Sequence, residues 1–117
     1  MSGKNATVLP LKDFRARRQT LYFSRAELNQ LLGLYSRNVA RGVWRDYAID
    51  HRDGLALFSV FRHTQEGPLY TISKSTVAGA AEFSVMAGRQ RLRGARSLRE
   101  ALDYFHTNLT VVSAASV

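Results

Sequence analysis

Asp53-Gly54 joins Trp44-Arg-Asp-Tyr-Ala-Ile-Asp-His51 and the Arg52 that follows it to Leu55-Ala-Leu-Phe-Ser-Val-Phe61, and no other pair of residues limits the fold of this chain so strongly. Glycine takes positive φ without a Cβ clash, and Asp-Gly between apolar-rich runs is the strongest short-range signal for a β-hairpin. A two-residue turn pairs Ile49 with Phe58 and Tyr47 with Val60 on one face. It sets Asp46, Ala48 and Asp50 opposite Phe61, Ser59 and Leu57 on the other. A three-residue turn with a glycine bulge shifts the ladder and pairs Ile49 with Leu57. The first register segregates the first strand cleanly but places Arg45 opposite Arg62, which is repulsive. A one-residue slip exchanges the faces, so both registers stay open at this level. The second strand is apolar on both faces, which argues for an interior place in the sheet.

Two helices flank this hairpin. Ser24-Arg-Ala-Glu27 has the pattern of a capping box, in which hydroxyl and carboxylate satisfy each other's orphan amides. Phe23 and Leu28 stand where a hydrophobic staple packs. Leu28, Leu31, Leu32, Tyr35 and Val39 follow the helical period as one buried stripe, and Gly42 is placed to end the helix. Ser97-Leu-Arg-Glu100 repeats the box before a second stripe of Leu98, Ala101, Leu102, Phe105 and Leu109. Between them, Thr64 to Pro68 reads as a loop and Leu69 to Ser73 as a third strand. Residues 75–81 read as a looser connection, Glu82 to Ala87 as a fourth strand, and Arg89 to Arg93 as a short fifth strand closed by Gly94. The expected fold is α+β: an antiparallel meander of four to five strands with an N-terminal and a C-terminal amphipathic helix packed on it. Residues 1–18 are expected to form a flexible basic arm, 19–110 a single domain, and 111–117 a frayed or briefly strand-like tail.

Composition narrows the chemistry. The chain has no cysteine, which excludes disulfides, thiolate metal sites and a cysteine nucleophile. No run approaches the roughly 18 apolar residues of a membrane span, and Met-Ser-Gly-Lys-Asn-Ala-Thr lacks the apolar core of a signal peptide. A soluble, cytoplasmic protein is expected. His51 and His63 fall at opposite ends of the hairpin, too far apart to share a metal, and His106 lies on the last helix beside Phe105. Asp46 and Asp50 share a strand face at roughly 13 Å, beyond the separation of paired glycosidase carboxylates. There is no nucleophile elbow and no phosphate-binding glycine loop; Ala78-Gly79-Ala80 has a single glycine and no Lys-Ser or Lys-Thr after it. These features argue against an enzyme, a metal or a cofactor.

What remains is binding. The formal charge is +8, with 17 Lys plus Arg against 9 Asp plus Glu. Arginine, whose planar fork suits phosphate and carboxylate, dominates the cations. Arg89, Arg91 and Arg93 alternate, so a regular strand projects them from one face about 6 to 7 Å apart, close to phosphate spacing. Arg96 and Arg99 follow, and Arg15, Arg17 and Arg18 belong to the arm. Together they form a candidate nucleic-acid or anion contact. Alternating arginines also describe a solvated edge strand that resists unwanted pairing, and no helix-turn-helix, zinc finger or aromatic platform accompanies them. Trp44, the only tryptophan, lies where helix meets strand, and Trp44, Asp46 and Asp50 form a candidate interaction surface. Tyr22, Tyr47 and Tyr70 add a residue type enriched at interfaces. The expected role is a non-enzymatic binding or accessory module with a protein partner or self-association, the alternative being sequence-nonspecific nucleic-acid binding.

Phe23-Ser-Arg-Ala-Glu-Leu-Asn-Gln-Leu31, Tyr35, Trp44-Arg-Asp-Tyr-Ala-Ile-Asp50, Phe58-Ser-Val-Phe-Arg62 and Pro68-Leu-Tyr70 together resemble an uncharacterised family of small alphaproteobacterial proteins, a domain of unknown function. The resemblance spans residues from about 20 to 109 and fits less closely after Ser75. It implies a bacterial, cytoplasmic protein and brings no reaction, cofactor or site residue with it.

Overall fold

The computed structural model describes residues 20–63 and 65–115. Along the chain run α1 (Arg25–Ala40), β1 (Asp46–Arg52), β2 (Leu55–Phe61), β3 (Tyr70–Val77), β4 (Ala80–Ala87), β5 (Gln90–Ala95) and α2 (Leu98–Ala115). The strands form one antiparallel sheet in chain order, with β2 inside it as its two-sided apolar pattern requires. This is the expected α+β meander, with five strands. No helix among the described residues is long and apolar enough to cross a membrane.

Asp53 and Gly54 have φ of 51° and 77°, the paired left-handed geometry of a type I′ turn. The turn therefore has two residues, and the ladder pairs Tyr47 with Val60 and Ile49 with Phe58. The arginine conflict falls just past the last rung, Asp46 opposite Phe61, where the Arg45 N–H donates to the Phe61 carbonyl at 2.8 Å. Ala56, Phe58 and Val60 of β2 share the helix-facing side with Ile72 of β3 and with Phe83 and Val85 of β4. Leu31 and Leu34 of α1 and Leu98, Ala101 and Phe105 of α2 close the core over them. Burial of Phe58 alone contributes about 2 to 3 kcal/mol.

The first capping box forms in full: Ser24 Oγ accepts from the Glu27 N–H at 3.1 Å and Glu27 Oε1 accepts from the Ser24 N–H at 2.7 Å. The same carboxylate receives Lys74 Nζ of β3 at 2.8 Å, and Lys74 also donates to the Tyr22 carbonyl at 2.9 Å. One lysine thus ties the start of α1 to the centre of the sheet. At the other end of α1 the stripe differs from expectation. Val39 is 41% exposed, and the buried positions are Leu31, Leu34 and Asn38, with Leu28, Leu32 and Tyr35 partly covered. Asn38 is buried with its Nδ2 donating to the Leu34 carbonyl at 2.9 Å; its Oδ1 has no partner among the described residues, and its backbone carbonyl accepts the Val43 and Trp44 N–H groups. Gly42, at φ 76°, then turns the chain toward the sheet.

Three local expectations are corrected. Residues 75–81 are not a loose connection: β3 runs to Val77, β4 starts at Ala80, and Ala78-Gly79 make a tight turn at φ 55° and 82°. The β4–β5 ladder shifts between Val85 and Met86, which pair with Arg93 and Arg91, so Leu92 is an extra bulge residue. Finally, α2 continues through Ala115, so residues 111–115 are helical rather than strand-like.

Candidate functional site

The bulge at Leu92 dismantles the expected arginine row, because one inserted residue reverses the alternation of sides. Arg91 faces away from the helices beside Met86, lies across Gly94 and pairs with Glu82 at 2.7 Å. Arg93 stands beside Val85 on the helix side and its Nη1 donates to the Glu100 carbonyl at 3.0 Å. Arg89 occupies the turn between β4 and β5. Arg96 and Arg99 are exposed, and Arg99 lines a cleft of about 660 Å³ between α1 and α2 together with Arg37, Arg41, Asp103 and His106. Arg15, Arg17 and Arg18 lie outside the described residues.

The expected Trp44, Asp46 and Asp50 surface also separates into two parts. Trp44 is 1% exposed, edge-on to Phe105 with centroids 5.5 Å apart, so it plugs the helix–sheet junction, and only its margin reaches the wall of a cleft beside Val39 and Gly42. The aspartates remain on the exposed side of β1, and each folds back onto the backbone. Asp46 Oδ1 accepts from the Tyr47 N–H and Asp50 Oδ1 from the His51 N–H, both at 2.8 Å. A two-residue turn makes Arg52 and Leu55 the first bonded pair, and strict alternation then points the Tyr47, Ile49 and His51 amides away from β2. The two carboxylates therefore occupy donors of the open sheet edge. Hydrogen bonding from Arg52, and then from the His51 N–H, holds the Asp50 carboxyl below its ordinary range.

The feature that single-residue reading of the sequence does not bring out is the helix-side margin of β1. Tyr47 and Ile49 point toward the core side, yet they stay 38% and 40% exposed because α1 does not reach over them. Tyr47 stacks on Phe58 at 5.3 Å and meets the edge of Tyr35 at 4.8 Å. The Tyr35 hydroxyl donates to the Arg45 carbonyl at 3.0 Å, and burial, then Asp46 and Tyr47, push its pKa up. Tyr22, 61% exposed, extends the margin past His51 at 4.6 Å. Only the alternation of Tyr47 and Ile49 signals this in the sequence; how far a helix reaches is not written there. Tyr70, the third tyrosine, instead joins Trp44, Tyr104 and Phe105 inside.

A cleft of about 480 Å³ opens next to this margin, lined by Val39, Gly42, Trp44, Arg45, Arg62 and His63. The three histidines thus stand apart, against Tyr22, in this cleft and between the helices. Among the described residues no cluster of three His, Asp or Glu is arranged to hold a metal ion.

A five-stranded antiparallel sheet with two helices on one face, exposed aromatics at one edge and small basic clefts defines a compact α+β module. The chain belongs to the family described as protein of unknown function (DUF2794), whose model matches residues 21–95, from just before α1 to the last residue of β5. No curated protein and no solved structure matches it.

Proposed function

We propose that the chain is a non-enzymatic binding module that docks a protein on the helix-side margin of β1. The observation that supports this is the exposed run Tyr22, Tyr47 and Ile49, in which Tyr47 is held by Tyr35 and Phe58 and Tyr22 packs against His51. Aromatic side chains supply most of the anchoring energy at protein interfaces, and rigid ones lose little entropy on docking. The partner's chemistry is an apolar patch rimmed by carboxylates, complementary to a chain of net charge +8. Self-association is less well supported, because like net charges repel and the Tyr47 and His51 edge amides are already occupied. Nucleic-acid binding loses its main support with the arginine row, since Arg91 and Arg93 face opposite ways and both are engaged. A bacterial, cytoplasmic setting belongs to the same proposal and rests on the cysteine-free sequence and the family's residue pattern.

The test is affinity capture from a nuclease-treated lysate with the wild type and with Tyr47→Ser/Ile49→Ser. A protein retained by the wild type and lost by the variant is then purified and titrated. We expect affinity to fall at least tenfold in the variant, while the chain alone scatters light as a monomer. Identical capture by both chains, or binding that disappears with nuclease, overturns the reading.

A further inference from the structure

The hairpin register leaves Arg45 and Arg62 beside one another just beyond the last rung, an arrangement of like charges that disfavours folding by itself. Neither forms an ion pair with a carboxylate among the described residues. They line one cleft with His63 and Trp44. Trp44 Nε1 is a buried donor with no acceptor among the described residues, although buried polar groups nearly always have one.

The lining has one chemical character. Arg45, Arg62 and His63 offer N–H donors, the buried Trp44 indole belongs to the wall, and among the described residues no carboxylate lines the cleft. Asp46 and Glu66 belong to a neighbouring depression that shares only Arg45 and His63 with it. The carbonyls at the end of α1 do not need these arginines either: those of Arg37, Asn38 and Val39 accept from Arg41, from Val43 and Trp44, and from Gly42. Val39, exposed at the rim, offers an apolar contact to whatever carries the charged group.

We propose that this cleft binds a phosphate monoester, with the indole N–H, two guanidinium forks and the imidazole as donors to its oxygens. A dianion matches two arginines in charge, and guanidinium suits phosphate geometry bidentately. Binding meets the unmade indole donor and neutralises the Arg45–Arg62 repulsion together. This site is separate from the β1 margin and stands whether or not a protein docks there.

The chain's single tryptophan gives one indole N–H resonance in a ¹H–¹⁵N correlation spectrum. Inorganic phosphate and methyl phosphate are titrated at constant ionic strength against chloride, acetate and a mixed-sequence oligonucleotide. We expect a saturable shift of the Trp44 indole N–H with both phosphates. Arg45→Gln and Arg62→Gln should each weaken binding at least fivefold with the rest of the spectrum unchanged, and Arg37→Gln should titrate as the wild type does. A stationary indole signal, an equal shift with chloride, or titrations unaffected by Arg45→Gln and Arg62→Gln overturn the site. Acetate saturating as tightly as methyl phosphate overturns the phosphate assignment, and so does tighter binding of the oligonucleotide than of the monoesters. Arg45→Lys retaining part of the affinity is expected of a charge-binding role; a loss as complete as that of Arg45→Gln is expected only of fork geometry. Trp44→Phe, followed through the Val43 and His63 backbone amides, should stay folded and bind more weakly; wild-type affinity removes the indole from the site.

Discussion

Glu27 carries two tasks that can be separated. Its carboxylate closes the capping box on Ser24 and receives Lys74 from β3, with the lysine and glutamate side chains only 12% and 19% exposed. Glu27→Ala removes both. Loss of a capping interaction costs about 1 kcal/mol, and loss of a hydrogen bond to a charged group about 1.5 to 3 kcal/mol. The sum is about 3 kcal/mol, or a fall in Tm on the order of 15 °C for a body of this size. Glu27→Gln keeps an amide oxygen that can still accept from the Ser24 N–H and from Lys74, so it isolates the charge and should cost about 1 kcal/mol. The pH dependence separates the two further. Burial pushes the Glu27 carboxyl up, but hydrogen bonds from Lys74 and the Ser24 N–H outweigh it, and its folded pKa lies below the ordinary 4.5. A depressed carboxyl stabilises the fold above its unfolded value, and this contribution disappears as pH falls through the folded value. The wild type should therefore lose its advantage over Glu27→Gln between about pH 5 and pH 3. Urea unfolding followed by Trp44 fluorescence at pH 7, 5, 4 and 3 measures this. Parallel pH profiles for wild type and Glu27→Gln, or a cost below about 0.5 kcal/mol for Glu27→Ala, would refute the argument.

Two other predictions concern turns and edges. Ala78 adopts φ 55° in the Ala78-Gly79 turn, a conformation that costs an L-residue about 1 to 2 kcal/mol and that asparagine tolerates well. Ala78→Asn should raise stability by roughly 0.5 to 1 kcal/mol in thermal unfolding, and an unchanged or lower Tm contradicts the turn assignment. Asp46→Ala/Asp50→Ala should release the Tyr47 and His51 amides and produce concentration-dependent association in light scattering. Asp46→Asn/Asp50→Asn makes the same charge change but retains an acceptor and should stay monomeric. Equal association by both pairs would assign the effect to charge.

Much of the framework is local and therefore legible. Ser24 and Glu27 lie three residues apart, and Asp53-Gly54 has one favoured geometry, so the first helix and the central hairpin follow from short-range chemistry. The register is open in the sequence because Arg45 opposite Arg62 argues against it; the two-residue turn decides it, and the ladder ends at Asp46 and Phe61 with the two arginines side by side just beyond. The second tight turn was hidden because alanine is not a residue that advertises positive φ. The bulge was hidden because Leu92 looks like any strand residue, and it alone decides where Arg91 and Arg93 point. Lys74 and Glu27 are 47 residues apart and meet only once helix and sheet are in place. Val39 and Asn38 exchange roles at the end of α1, where the Asn38 side chain turns inward and donates to the Leu34 carbonyl. The candidate clefts belong to this second kind: they arise where elements meet, and no segment announces them.

The aspartate caps on β1 have a consequence for synthesis. Each requires only the next residue's amide, so each can form as soon as the first hairpin leaves the ribosome. The hairpin then has one protected flank and one open flank, the side of β2 that awaits β3. Growth of the sheet is thereby given a direction: each new strand can add on the side where the chain delivers it, and neighbouring nascent chains find the Tyr47 and His51 amides of the other side already occupied.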